Sequence, residues 1–406
     1  MTSKFETWFI AYGILGTVAS GLIPILLPLW TQTHLGAAQV GIVMSLFGLG
    51  QLASPVWGEI GDHLKLKRSL FILGLAIIGF SMAAITFFPK FQLIGFFSLS
   101  AGMGFSLANT LANLWIVERF PQSEIPLREG LLQRTYGMGQ VIGLAIAGLL
   151  AATHLKIALA ATSVLPFLAM SVYTKMPVLE KVEKKRPIIL HFHPQIQPLL
   201  ASISQAYHLL HLKDLKKHLP KIPSNVVIFH VHWFLMSMGS AFLFSFYPLI
   251  MKNSFHVNPT LASAVFSVAA ALGILVYKPA GIYAKNLGNK KVLQTAVFAR
   301  SLSLLLMGLA AYLTFSFKEI LVLAFFTLIV LTWPFIAVTG IDLATSSSLP
   351  KGPSLGLFSA NNALSNSLGS FLGGILAHLG SYSILPIASS ITLFVAFFFS
   401  FLVKEG

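Results

Sequence analysis

The sequence predicts an all-α membrane protein of twelve spans, arranged as two related bundles of six, and three observations carry that prediction. Of 406 residues 56% are hydrophobic and only 10% charged, with a mean hydropathy of +0.81, whereas soluble domains carry roughly a quarter charged residues. The apolar runs reach the ~20 residues that a helix needs to cross about 30 Å of hydrocarbon, and nothing shows the short alternating strands of a membrane barrel. Lys and Arg collect in alternate loops, as the positive-inside rule requires of helical spans.

The first run, Trp8 to Trp30, has no internal charge and no small-residue cleavage site at its end, so it is expected to stay as span 1. Span 2 covers Ala38–Gly61, span 3 Ser69–Phe88 and span 4 Phe91–Val117, closing on Glu118 and Arg119. Spans 5 and 6 cover Gly130–His154 and Ile157–Met176. Residues 1–176 form the first bundle, and 177–225 read as a cytoplasmic linker in which PLLASISQAYHLLHLKDLKKHLP has the pattern of a basic amphipathic helix on the membrane surface. Six further spans fill 226–406: Val226–Met251, Leu261–Ala284, Val292–Phe317, Ile320–Leu349, Ser354–Leu379 and Ser383–Val403.

With both termini in the cytoplasm, Lys90, Lys156, Lys252 and Lys318 are the outer exceptions among 27 basic residues. That placement accounts for the net charge of +15 without nucleic acid. The absence of Cys excludes disulfides, thiolate metal sites and thiol nucleophiles. No GxxxxGK[ST] loop is present, so direct ATP drive is not expected. The histidines of the linker lack acids or Cys at ligand spacing, and neither a metal nor a cofactor is expected.

Sliding the sequence by 226 residues lays the segment from Gly130 over that from Gly356, with Gly143 over Gly369 and Gly148 over Gly374. A shift of 223 lays GEIGDHLKLKR, from Gly58, over GIYAKNLGNKK, from Gly281. Two similar offsets at separate places indicate duplicated halves, with a central cavity between them. Twelve spans, a charged central loop and GEIGDHLKLKR together resemble the major facilitator superfamily over essentially the whole chain. Gly58, Ile60, Asp62, Lys67 and Arg68 stand in or next to the family's motif positions, while Lys65 and His63 depart from it. In the second copy Lys285 replaces the acid.

The resemblance implies a secondary transporter rather than an enzyme, and a cytoplasmic latch that holds the outward-open state. Gly58 and Gly61 share a helix face that allows close approach. Asp62 faces the start of span 11, whose dipole favours a carboxylate. Lys67 and Arg68 meet the segment from Glu118 to Arg128. The plainer alternative is static topology.

Ionisable groups within spans are functional candidates by default. Arg300 in span 9 and Asp342 in span 10 are expected at similar depth as a buried pair, either loaded and unloaded with protons or kept as a permanent salt bridge. His230 and His232 titrate near neutral pH in principle, with packed histidines as the alternative. Ser20, Gln51, Asn109, Asn113, Tyr136, Gln140, Trp333, Asn362 and Asn366 would give a weakly polar, largely uncharged cavity; each alone also reads as helix-to-helix glue.

The functional expectation is proton-coupled efflux of a small drug-, siderophore- or metabolite-like molecule by a monomer in a bacterial inner membrane, in contact with lipid. The alternatives are proton symport of a sugar, nucleoside or other nutrient, and a lipid flippase or non-transporting scaffold on the same fold. Span 5 lacks the glycine-proline signature of the family's drug antiporters, which speaks against that subgroup.

Overall fold

The computed structural model describes residues 5–64, 67–121, 124–151, 154–173, 224–314, 316–345 and 351–403. The expected linker helix lies outside the described residues. Every regular element among those described is helical. The chain starts with α1 (Phe9–Gly16), which runs through a π-helical turn (Thr17–Leu22) into α2 (Ile23–His34). Next, α3 (Ala37–Gly50) passes through a 3-10 turn (Gln51–Ala53) into α4 (Ser54–Leu64). Then come α5 (Lys67–Phe87), α6 (Phe91–Arg119), α7 (Ile125–Ala151) and α8 (Leu155–Tyr173). The second set is α9 (Ser224–Phe244), α10 (Tyr247–Ser254), α11 (Pro259–Leu287), α12 (Asn289–Ala310), α13 (Lys318–Leu331), α14 (Trp333–Thr345), α15 (Lys351–Leu379) and α16 (Ile384–Ser400).

Local chemistry sets several of these boundaries. Asn258 caps α11 by accepting from the Thr260 backbone N–H at 2.8 Å, with Pro259 fixing the first turn. Gly288, at φ +87°, turns the chain between α11 and α12 in a conformation that costs other residues more.

Nine rods among the described residues are long and apolar enough to cross a membrane. Three more helices run beside them and fall short of that measure for visible reasons. Helix α7 carries Arg128, Glu129, Gln133 and Arg134 in its first half, α15 is rich in Asn and Ser, and α16 has only 17 residues.

Contacts within α1–α8 are led by α5 against α6 and α8, α3 against α6, and α7 across α1 and its π turn; within α9–α16 they are led by α16 against α9 and α12, and α15 against α9. Between the two sets the main contacts are α3 with α15 and α7 with α11. The backbones touch where α3 crosses α15: a Cβ built on Gly41 would lie 2.6 Å from the Gly374 Cα. Beside it, the hydroxyls of Ser45 and Ser367 lie 3.0 Å apart, and Ser367 donates to the Ser45 carbonyl at 2.7 Å. On the other seam, Gly148 packs on Ser263, Ser267 donates to the Val141 carbonyl at 2.8 Å, and Gly137 meets the Ile274 side chain. Tyr382 donates to Gln32 and ties the loop after α15 to the end of α2.

These cross-contacts run from mid-rod, at Gly137 and Ile274, to one end of the rods, here called the far end. The opposite, charged end holds Glu6, Lys67, Glu118, Arg119, Arg128, Lys285 and Asp342. There a methyl group placed on Gly130 of α7 or on Gly281 of α11 would meet nothing within 4 Å among the described residues. Among the described residues, the named contacts between the two sets thus run from mid-rod to the far end.

Candidate functional site

The wall contributed by α1, α6 and α7 is a connected, uncharged hydrogen-bond patch. Tyr12 donates to Asn109 Oδ1 at 2.5 Å, and the Asn113 amide donates to the Asn109 carbonyl at 2.8 Å. The Gln133 amide donates to Asn113 Oδ1 at 3.2 Å and reaches the Tyr12 hydroxyl at 3.4 Å. Ser20, on the π turn, shares a 2.5 Å hydrogen bond with Tyr136, whose ring lies 5.2 Å from that of Tyr12. Gln140 lies one turn farther along α7 and is half-buried, and Gln51 opens the 3-10 turn between α3 and α4. Gln133 is a member of the patch that hydropathy and depth alone do not pick out. A signal for it exists, since Gln133, Tyr136 and Gln140 recur at three and four residues on one helix face.

On the second set, Ser237 donates to Asn362 Oδ1 at 3.1 Å, and Asn361 donates to the His230 carbonyl at 2.9 Å. The Asn366 carbonyl accepts from Ser370 at 2.8 Å. His232 is buried, with Nδ1 2.7 Å from the Ala396 carbonyl. Trp333 is 37% exposed and begins α14 just past the break at Thr332.

Arg300 does not pair with Asp342. It is fully buried, and its guanidinium donates to Thr332 Oγ1 (2.8 Å), Ser240 Oγ (3.1 Å) and the Ile329 carbonyl (3.0 Å), between the rings of Phe244 and Trp333 at 5.8 and 5.6 Å. Asp342 is exposed at the charged end, where Asn289 donates to it. The reason is depth: Asp342 lies ten positions beyond Thr332, about 15 Å of helix, out of reach of an arginine bonded to Thr332. The break at Thr332 leaves carbonyls at the C-terminus of α13, and the cation compensates that negative pole. Hydropathy does not show the break, and without it Arg300 is expected too shallow and Asp342 too deep.

The latch segment forms a cluster at the charged end. Lys67, buried at the start of α5, pairs with Glu118 at the end of α6. Arg119 pairs with Glu6 at 3.1 Å, and Arg128 with Glu124 at 3.3 Å and Glu6 at 3.9 Å. Glu6, a lone acid before the first span, gives no sequence signal. A Cβ built on Gly58 would lie 3.8 Å from the Thr110 methyl group, an ordinary contact rather than a close crossing. Gly61 and Asp62 close α4, and their side-chain surroundings lie outside the described part of the structure.

The sequence matches the family described as the Major Facilitator Superfamily over residues 8–352. The chain belongs to the Major Facilitator Superfamily. Superfamily proteins are secondary transporters. A mutant of the nucleoside transporter NupG superposes with a TM-score of 0.74 at 12% identity, covering 98% of each chain. A sulfate-bound mutant of the peptide transporter POT gives 0.73 at 11% identity, covering 98% of this chain and 95% of that one. At such identities the likeness is one of fold. No curated protein sequence matches the chain. Among the described residues no group of three or more His, Asp or Glu is placed to hold a metal ion.

Proposed function

We propose that the chain is a twelve-span, proton-linked transporter of a bacterial inner membrane that moves a small, weakly polar organic solute by alternating access, with export preferred over uptake. The observation that supports this reading is the patch of uncharged polar side chains formed by Tyr12, Asn109, Asn113, Gln133 and Tyr136 where α1, α6 and α7 meet. The positive-inside rule assigns the charged end to the cytoplasm, which makes this conformation inward-open. In the opposite state the latch engages. Counting equally from the Gly41–Gly374 crossing, along α3–α4 and back along α15, sets Asp62 opposite Pro353 in the first turn of α15, where backbone N–H groups favour a carboxylate. Asp342, apart from Arg300, remains the proposed proton site.

A second reading, uptake of a hydroxyl-rich nutrient such as a nucleoside, is favoured by the same neutral amides and hydroxyls, and one fold neighbour is a nucleoside transporter. Counterflow in proteoliposomes, with and without a pH gradient, tests both with nucleosides, sugars and aromatic amphiphiles. Gradient-stimulated flux that falls in Gln133→Ala supports the site. Inward accumulation coupled to proton entry overturns export, and flux indifferent to the gradient overturns proton linkage.

A further inference from the structure

Span 1 carries two prolines at and just past the end of its π turn, Pro24 and Pro28, and neither has an N–H to give the helix. In the turn the Ile23 N–H bonds the Val18 carbonyl, five residues back, instead of the Ala19 carbonyl four back. A five-residue step would assign Ala19 to Pro24, which cannot donate. The Ala19 carbonyl therefore has no main-chain donor within its own helix. Pro28, inside α2, likewise offers none to the Pro24 carbonyl. The hydroxyls of the turn are engaged elsewhere, Thr17 with the Gly13 carbonyl at 3.2 Å and Ser20 with Tyr136 at 2.5 Å. We infer that this break is a subsite for a hydroxyl group of the transported solute, with the Ala19 and Pro24 carbonyls accepting from it and the Ser20–Tyr136 pair donating to it. The inference rests on the transport reading above and narrows its solute to a neutral, hydroxyl-bearing compound.

Exposure falls where the donors are missing. From Leu15 to Thr31 every residue is buried except Ser20 and Pro24, which are partly exposed and lie four apart on one helix face. That face joins the uncharged patch, since Ser20 bonds Tyr136 and the Tyr136 ring lies 5.2 Å from that of Tyr12. Contact with α7 pins the break. Cβ atoms built on Gly16 and Gly21 would lie 2.3 Å from the Tyr136 carbonyl oxygen and 2.6 Å from the Gly143 Cα, so span 1 rests on backbone on both sides of Ser20. Rewinding the turn into a regular helix would rotate Gly21 by about 100° off Gly143. A carbonyl freed within a span costs stability unless a side chain, water or ligand satisfies it.

The pairing of groups selects the chemistry. One hydroxyl proton lies between Ser20 and Tyr136, and the other is left to donate outward. Beside it the freed carbonyls only accept. A hydroxyl group has one donor and two acceptor sites and answers both, whereas an ether answers the donor alone and a hydrocarbon neither.

The test follows the unfolding midpoint of the full chain in detergent with uridine and with methyl glucoside, each beside its fully O-methylated ether, which lacks the hydroxyl donors. The parent compounds should raise the midpoint and the ethers should not. Pro24→Ala supplies an N–H, so it should raise the midpoint without solute while weakening binding of the parents about two- to tenfold, the range for one hydrogen bond. Those opposite signs separate a lost subsite from a damaged fold. Pro166→Ala, the same change inside α8, should leave binding as it is. If Pro24→Ala does not fold, Ser20→Ala carries the test: binding should weaken by a similar factor and Ser20→Thr should restore it. The subsite is overturned if neither parent binds, if the ethers bind as tightly, if binding survives Pro24→Ala or Ser20→Ala unchanged, or if the Pro24→Ala midpoint does not rise. Gradient-stimulated counterflow of some other solute would then keep the transport reading, whereas no flux of any solute removes both.

Discussion

Gly41 and Gly374 meet where two helices from different halves of the chain cross, so a single methyl group there should move the conformational equilibrium without unfolding either half. The Cβ of Gly41→Ala would lie 2.6 Å from the Gly374 Cα, 2.8 Å from the Ser370 carbonyl oxygen and 2.9 Å from the Gly374 nitrogen, all backbone atoms that no rotamer change can clear. Overpacking of this kind costs about 1–3 kcal/mol. Because the contact exists only while the far end is closed, the cost falls on that state alone and favours the opposite one about 5- to 150-fold. Spin-label distances between Thr33→Cys and Leu379→Cys should therefore lengthen. Gly21→Ala is the control, since its Cβ would lie 2.6 Å from the Gly143 Cα within one half. It should lower the unfolding midpoint while leaving the distance distribution in place. If Gly41→Ala behaves like Gly21→Ala, losing stability with no change in far-end distance, the crossing is a static contact and the reasoning fails.

Other perturbations separate structural from conformational roles. Tyr382→Phe removes the hydroxyl that holds Gln32 and should weaken far-end closure by about 1 kcal/mol, seen as faster labelling of Ser45→Cys by an impermeant maleimide from outside. Arg300→Lys cannot hold Thr332, Ser240 and the Ile329 carbonyl together and should cost about 2 kcal/mol or more, read as a lower unfolding midpoint; an unchanged midpoint would show that the break in α13–α14 needs no clamp. Glu118→Gln leaves the buried Lys67 without its carboxylate. Because Glu118 is itself 34% exposed, the loss should be held to about 1–2 kcal/mol, and it should shrink in the double variant with Lys67→Met.

The sequence makes the fold legible because lipid imposes one strong rule, that backbone polar groups be satisfied within each span, and hydropathy reports it directly. The clustering of Lys67 and Glu118 is legible for a similar reason, since both stand at span ends that the motif joins. Depth is less legible. Distances to loops set Arg300 and Asp342 at a common level, but the break at Thr332 and the length of α14 put one at mid-span and the other at the charged end. A hydropathy profile averages over such a break and carries no trace of the carbonyls it frees.

Conformational change is partly legible, and the glycines show why. A sequence is selected for every state the chain visits, whereas a structure displays one of them. Gly41 and Gly374 are explained by the contact they make, while a Cβ on Gly130 or Gly281 would meet nothing within 4 Å among the described residues. The repeat flags Gly130 through its alignment with Gly356, and Gly281 through its alignment with Gly58, without saying when either is used. The α7–α11 register supplies that missing information, because the step that joins Gly137 to Ile274 also joins the two idle positions. A residue that is costly in the observed state and finds a partner by continuing an observed register marks the surface that moves.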